Sequence, residues 1–498
     1  MSVTGARTRQ VAMATAVVLV LGWTQGCTSD GPATPSASPD GPVEVRDHAD
    51  DLTVVDDASP ADRSVVVSRL LVEQADVVLV ASTDVAPAVA ETARDHGLPA
   101  LDAAAVGLAD EVERLDASTV VLVGTPPAGA LDGVADQVVT ATPKDLTSVL
   151  AEHAPDASTA QGGRDTVVLT RDPGADALAL ATAGGAEVVS VPSGDPRSDP
   201  AVADRLRELG EQPTVVLGPD WVEPAYTLEV VRTQPEQPGG GHTIFPGRHV
   251  VALYGSPGIP ALGMLGEQDP AATVARTQEV VAQYAAISDR PVVGAFELIA
   301  TIADADIGAD GDYSREVPVE TLRPWVDAAR EAGLYVIIDL QPGRTDFLTQ
   351  AQRYAELLKE PHVGLALDPE WRLTPDQVHL RQIGSVTGAE VDAVGAWLAD
   401  LTRENDLPQK LFVLHQFSPL MISNREVVRS DRPELQVVVH VDGQGSPAAK
   451  VGTWNQLRAG AAPTIAWGWK NFVDEDLPML TPEQTWGIAP RPDLVTYQ

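Results

Sequence analysis

From His249 to the C-terminus one pattern recurs: a short, continuous apolar run followed by a stretch long enough for a helix. The apolar runs are His249 to Tyr254, Pro291 to Leu298, Leu334 to Leu340, Val363 to Leu367, Leu411 to His415, Leu435 to Val441 and Pro463 to Trp467. Among the stretches between them, Ala271 to Ala286, Val319 to Ala332, Ala389 to Thr402 and Ala448 to Ala459 carry apolar residues at helical spacing. A strand without polar alternation is buried on both faces, which requires a parallel sheet covered by its own crossover helices.

Seven such units within residues 245–498 match the size of a (β/α) TIM-type barrel of seven or eight strands. The eighth strand is not evident. An irregular segment near Thr485 to Ala489 is one placement, and a distorted seven-stranded barrel is the other. Residues 63–233 carry a smaller version of the pattern. The strands Ala75 to Val80, Leu98 to Leu101 and Thr119 to Gly124 alternate with helix-like Val85 to His96 and Leu108 to Leu115. The series then restarts with Asp165 to Leu169, Ala175 to Ala183, Ala186 to Val191, Pro200 to Leu209 and Thr214 to Gly218. Two repeated α/β subdomains with parallel sheets are expected. Residues 28–62, rich in Pro, Ser, Asp and Gly at their start, read as a disordered, solvated tether. Residues 234–244, which include Gln234-Pro235-Glu236-Gln237-Pro238-Gly239-Gly240-Gly241, read as an interdomain linker.

The N-terminus has its own logic. Arg7 and Arg9 precede an apolar run from Val11 to Gly22, which suits a signal-peptide core and falls short of the about 20 residues of a membrane span. It ends in Thr24-Gln25-Gly26-Cys27, and Cys27 is the only cysteine, so no intramolecular disulfide is expected. A small residue directly before that cysteine resembles the lipobox of bacterial lipoproteins. The resemblance implies that residues 1–27 are a signal peptide ending in the lipidation site. Cys27 would be diacylated, and the chain held on the outer face of the cytoplasmic membrane. An ordinary secretory signal with an incidental cysteine is the alternative. With 34 basic against 71 acidic side chains the formal charge is −37, which repels nucleic acid and excludes it as a partner.

At Gly97-Leu98-Pro99-Ala100-Leu101 and Val120 to Gly124 the chain resembles the cell-wall-binding repeats of Gram-positive surface proteins. That resemblance implies a grip on cell-envelope polysaccharide or peptidoglycan. An acidic protein would need a local basic patch for it, from Arg164, Arg171, Arg197, Arg205 and Arg207, or bridging cations. A structural spacer is the other reading.

In a parallel barrel the chemistry sits at the strand C-termini, and here those ends are polar. They carry Glu297, then Asp339 to Arg344, then Asp368-Pro369-Glu370-Trp371, then His415-Gln416, then His440 to Gln444, and finally Trp467-Gly468-Trp469-Lys470. Asp368 and Glu370 are spaced i, i+2, so an extended strand points both to one face, where one raises or orients the other. Glycoside hydrolysis needs such an acid and a second carboxylate across the bond. Trp371, Trp467 and Trp469 can stack on sugar rings. Glu297 and Gln416 are expected to line the cleft. Lys470 is expected either to hold an anionic group of the substrate or to pair with Asp442 or Glu297. The Asp-x-Glu at strand four resembles the motif of chitinase-like and muramidase-type glycoside hydrolases. The resemblance implies that Glu370 is the acid and Asp368 its partner. The acidic repeat that precedes the chitinase glutamate is replaced by Gly364-Leu365-Ala366-Leu367, so a substrate-assisted mechanism does not carry over. The C-terminal half also looks like an uncharacterised group of lipoproteins from high-GC Gram-positive bacteria.

No Gly-x-Ser-x-Gly or His-Glu-x-x-His pattern is present. Asp304, Asp306, Asp310 and Asp312 suggest a calcium loop, but the glycine and glutamate of an EF-hand do not follow, so neither metal nor cofactor is expected. His362 and His379 read as surface or core residues. The expectation is a membrane-anchored surface lipoprotein whose barrel hydrolyses or binds envelope carbohydrate, with Glu370, Asp368, Asp339 and Asp442 catalytic. A non-catalytic wall-binding or scaffold protein is the alternative.

Overall fold

The structure, a computed structural model, describes residues 43–45, 51–154 and 165–498. Cys27, the signal segment and Arg164 lie outside them. No helix of the described residues is long and apolar enough to cross a membrane.

The C-terminal half is a closed barrel of eight parallel strands. They are β1 (His249–Gly255), β2 (Val292–Ala303), β3 (Tyr335–Leu340), β4 (Val363–Leu367), β5 (Lys410–His415), β6 (Leu435–Val441), β7 (Ala466–Asn471) and β8 (Leu494–Tyr497). Each pairs with the next, and β8 returns to β1. The eighth strand is therefore neither missing nor near Thr485, which belongs to the helix Pro482–Trp486. Only four residues long and carrying Thr496 at its centre, β8 lacks the apolar run that marks the others. Outward residues such as Leu253, Phe296, Leu298, Val336 and Ile338 pack under the surrounding helices. Inward residues such as Val250, Ala252, Ala295, Ile337, Val413, Val438 and Leu494 fill the lower barrel. Several helices start at a side-chain cap followed by proline: Asp269 accepts from the Ala272 amide before Pro270–Ala285, and Ser446 from Ala449 before Pro447–Arg458.

The N-terminal half holds two four-stranded parallel sheets. One runs Ala100–Asp102, Val77–Ala81, Thr119–Val123, Gln137–Ala141; the other Glu187–Ser190, Val167–Thr170, Thr214–Leu217, Leu52–Val55. The spatial order is the same in both, so the expected repeat is present with parallel sheets. In the second copy, however, the fourth strand is Leu52–Val55, donated from before the first copy. The tether expected over 28–62 thus does not extend that far, since Leu52–Val55 is sheet and a helix begins at Pro60. Arg63 of that helix makes a buried ion pair with Asp176 at 2.6 Å, joining the two copies.

The expected linker over 234–244 is packed. The buried Gln237 amide donates to the carbonyls of Pro361 (3.2 Å) and Gln409 (2.9 Å), and the Ile244 amide donates to Gln409 Oε1 at 3.0 Å. The Tyr226 hydroxyl, also buried, donates to the Leu407 carbonyl at 2.7 Å. Pro361, Leu407 and Gln409 precede β4 and β5, so the N-terminal half meets the barrel at the end opposite the polar strand termini.

Candidate active site

Along each barrel strand the inward residues change character within two positions. Ala252, Ala295, Ile337, Ala366, Val413, Val438, Gly468 and Leu494 give way to Tyr254, Glu297, Asp339, Asp368, His415, His440, Lys470 and Thr496. Because inward side chains recur every second residue, strand pairing sets these groups side by side. His415 lies opposite His440, Tyr254 opposite Glu297, and Lys470 opposite Thr496. Above them opens a cavity of ≈ 650 Å³ lined by Tyr254, Gln341, Asp368, Glu370, Trp371, Asp442, Lys470 and the rim residues His379, Phe417 and Phe472.

At its floor His415, wholly buried, sets Nε2 at 2.8 Å from Glu297 Oε1 and Nδ1 at 2.9 Å from Asp442 Oδ2, both at hydrogen-bond distance. Asp339 Oδ1 stands 3.9 Å from the same Nε2, and its Oδ2 accepts from the Tyr254 hydroxyl at 2.9 Å. Gln341 donates to that hydroxyl at 3.2 Å. The Lys470 ammonium sits 3.6 Å over the Tyr254 ring and makes no salt bridge to Asp442 or Glu297. His440 is hydrogen-bonded to Thr496 Oγ1 at 2.9 Å, in space that Gly468 leaves open: a Cβ there would meet the ring at 2.3 Å. Glu297 Oε2, Asp339 Oδ1 and Asp442 Oδ1 are buried without a hydrogen-bond partner.

These surroundings push the carboxyls apart. Burial, and next the Asp442 charge, lift Glu370 to about 7. Burial, and next Glu370, hold Asp368 well above the ordinary carboxylate range. Asp339 rises to about 6, burial outweighing the pull of His415. Asp442 moves the other way: burial raises it, but the His415 hydrogen bond and charge outweigh burial and hold it below the usual value. His415 is held well above an ordinary histidine, since Glu297, Asp442 and Asp339 together overcome its burial. Burial, then the His415 charge, push His440 well below 6.5.

The expected site residues divide into three groups. Asp368, Glu370, Asp442, Trp371 and Lys470 line the cavity, and Glu297 and Asp339 form its floor around His415. Asp368 and Glu370 converge for a reason other than strand alternation. The strand stops at Leu367 and Asp368 caps a single 3₁₀ turn, Pro369–Trp371, which swings Glu370 into the cavity. Gln416 does not line this cavity; it accepts from Arg425 at 2.6 Å beside a separate cavity of ≈ 440 Å³. Trp467 and Trp469 are not sugar platforms. Both point outward from β7 and pack with Trp454 of the covering helix, ring centroids 5.9 and 5.8 Å away. Trp371 remains at the cavity, stacked on His379 at 5.2 Å. In the sequence His415, His440 and Gln341 stand among the polar strand ends without an assigned role, and Tyr254 is not among them, although each continues the inward i, i+2 row of its strand.

One further expectation changes. Of the proposed basic patch, Arg171, Arg197, Arg205 and Arg207 each face a carboxylate, from Asp220, Asp195, Glu187 and Asp204 respectively, so no free cationic surface forms from them. On the acidic loop, Asp304, Asp306 and Asp312 turn to the amides of Asp306, Gly308 and Ser314. Glu297, His415 and His440 have metal-ligand spacing, as do Asp368, His415 and Asp442. In both clusters the ring nitrogens of His415 already face carboxylate oxygens at 2.8 and 2.9 Å.

Fold and site together define an eight-stranded (β/α) barrel with a carboxylate-rich cavity at the strand C-termini. No protein-family model matches the chain, and no curated protein matches its sequence.

Proposed function

We propose that the barrel is a glycoside hydrolase acting on cell-envelope carbohydrate, with Glu370 as general acid and Asp442 as the carboxylate across the bond. The observation that carries this reading is that Glu370 and Asp442 line one cavity at the strand C-termini, in surroundings that push Glu370 up to about 7 and Asp442 below the usual range. Carboxyls whose surroundings separate their protonation states are what acid and nucleophile roles require. Arginine neutralisation would speak for a purely structural or binding site, and among the described residues no arginine pairs with Asp339, Asp368, Glu370 or Asp442. In the first step Glu370 gives its proton to the glycosidic oxygen while Asp442 attacks the anomeric carbon and the C–O bond breaks. Water then displaces Asp442, with Glu370 taking the proton back. Asp368 offers an oxygen within 4.8 Å of one on Asp442. Trp371 supplies a stacking face and Lys470 donors for sugar oxygens.

The decisive experiment incubates the protein with fractionated envelope glycans and follows new reducing ends by mass spectrometry. Release that persists in Glu370→Gln, or no release from any fraction, removes the catalytic reading in favour of a non-catalytic binding or scaffold role. Lipid anchoring through Cys27 belongs to the same proposal. Cys27→Ser is expected to leave the membrane fraction or accumulate as precursor; unchanged fractionation and migration would falsify it. With Arg171, Arg197, Arg205 and Arg207 paired, the N-terminal half is proposed as a spacer that carries the barrel away from the membrane.

A further inference from the structure

We infer that His415 is a positioning residue: clamped between Glu297 and Asp442, it binds one Asp442 oxygen and leaves the other free beside the cavity. The catalytic consequence rests on the glycosidase reading; the clamp itself does not. His415 is fully buried, and its two nitrogens lie 2.8 and 2.9 Å from carboxylate oxygens on opposite sides. A neutral imidazole carries one N–H and could serve only one of them, so two ionised carboxylates require both protons. The groups around the ring agree with a cation there. Asp339 approaches from β3, and Asp368 and Glu370 from the end of β4. His440 meets the ring edge-on at 4.8 Å, Tyr254 of β1 lies at 6.0 Å, and Lys470 of β7 sits over the Tyr254 ring.

The clamp gives Asp442 a fixed aim. Oδ2 is held by His415, and Oδ1 has no hydrogen-bond partner although the side chain is only 6% exposed and lines the cavity. A carboxylate that must attack one carbon needs one oxygen immobilised and one unencumbered. Glu297, on the far side of the ring, fixes the ring's tilt and so acts through His415 rather than on substrate.

The test uses the full chain and two substitutions that split the clamp. His415→Asn keeps an N–H near the Nδ1 place, facing Asp442; His415→Gln keeps one near Nε2, facing Glu297. Nitrogen-15 NMR of the wild-type imidazole is expected to show both nitrogens protonated from about pH 5 to 8. A single protonated nitrogen overturns the inference. Carbon-13 titration of the Asp442 carboxyl should give a higher midpoint in His415→Gln than in His415→Asn, and equal midpoints overturn it. On a glycan fraction from which wild type releases reducing ends, kcat should fall about 100-fold in His415→Gln and less than about tenfold in His415→Asn, with KM little changed. The acid limb of the pH profile should move up further in His415→Gln than in His415→Asn. Equal losses, or a change in KM alone, count against positioning. Should wild type release nothing, the glycosidase reading falls while both NMR measurements still decide the clamp.

Discussion

Glu370 titrates near neutrality because burial and the Asp442 charge oppose its ionisation, and this has consequences for both activity and stability. As a general acid it must hold its proton, so cleavage should decline as pH rises through about 7. On the stability side, its folded pKa lies above the 4.5 of an ordinary glutamate, so the folded state binds more protons between the two values. Its contribution is fully present below about 4.5 and is lost as pH rises through about 7. Glu370→Gln removes that loss, and is expected to abolish cleavage while melting above wild type at pH 8, by calorimetry. A variant that melts below wild type at that pH would show that the carboxylate is stabilised in the fold. The tryptophans separate in the same way. Trp469→Ala should cost about 3–5 kcal/mol in denaturant unfolding, as expected for a buried aromatic. Trp371→Ala, at the cavity, should weaken glycan binding at nearly unchanged stability.

The strands show how far the sequence could be read. Seven of the eight announce themselves as apolar runs, and their C-terminal acids were recognisable because a titratable residue ending a buried strand has no packing reason to be there. His415 and His440 obey the same rule, but a histidine at a strand end also reads as core, and only the distances to Glu297, Asp442 and Thr496 give them roles. Strand β7 misleads for the opposite reason. In Ala466-Trp467-Gly468-Trp469-Lys470 the period of two sends Ala466, Gly468 and Lys470 inward and both tryptophans beneath the helix. Reading Trp467 and Trp469 as cleft residues together with Lys470 ignores that alternation. Gly468 tests the element directly. Gly468→Ala would place a methyl 2.3 Å from the His440 ring, so a loss of about 1–3 kcal/mol is expected, with the His440–Thr496 contact displaced. An alanine variant of wild-type stability would mean that His440 moves freely.

For the whole molecule, barrel closure uses only strands from His249 onward, so a fragment starting at Gln234 should unfold cooperatively. It should melt below the full chain, because the Leu407 carbonyl loses the Tyr226 hydroxyl and that end of the barrel becomes exposed. A fragment that never folds would make the N-terminal half part of the barrel's own core. In the N-terminal half, the borrowed strand sets an order of events. Leu52–Val55 lies ahead of every strand of both copies, yet its partner Thr214–Leu217 is the last of them. A chain that emerges N-terminus first therefore presents this strand early and must keep it unpaired until the rest of the lobe has followed. The first copy has all four of its own strands and can close during emergence; the second waits for a long-range closure, which is the slow kind. During that interval the waiting strand is the segment on which a chaperone, or a neighbouring chain offering the same sheet edge, would act.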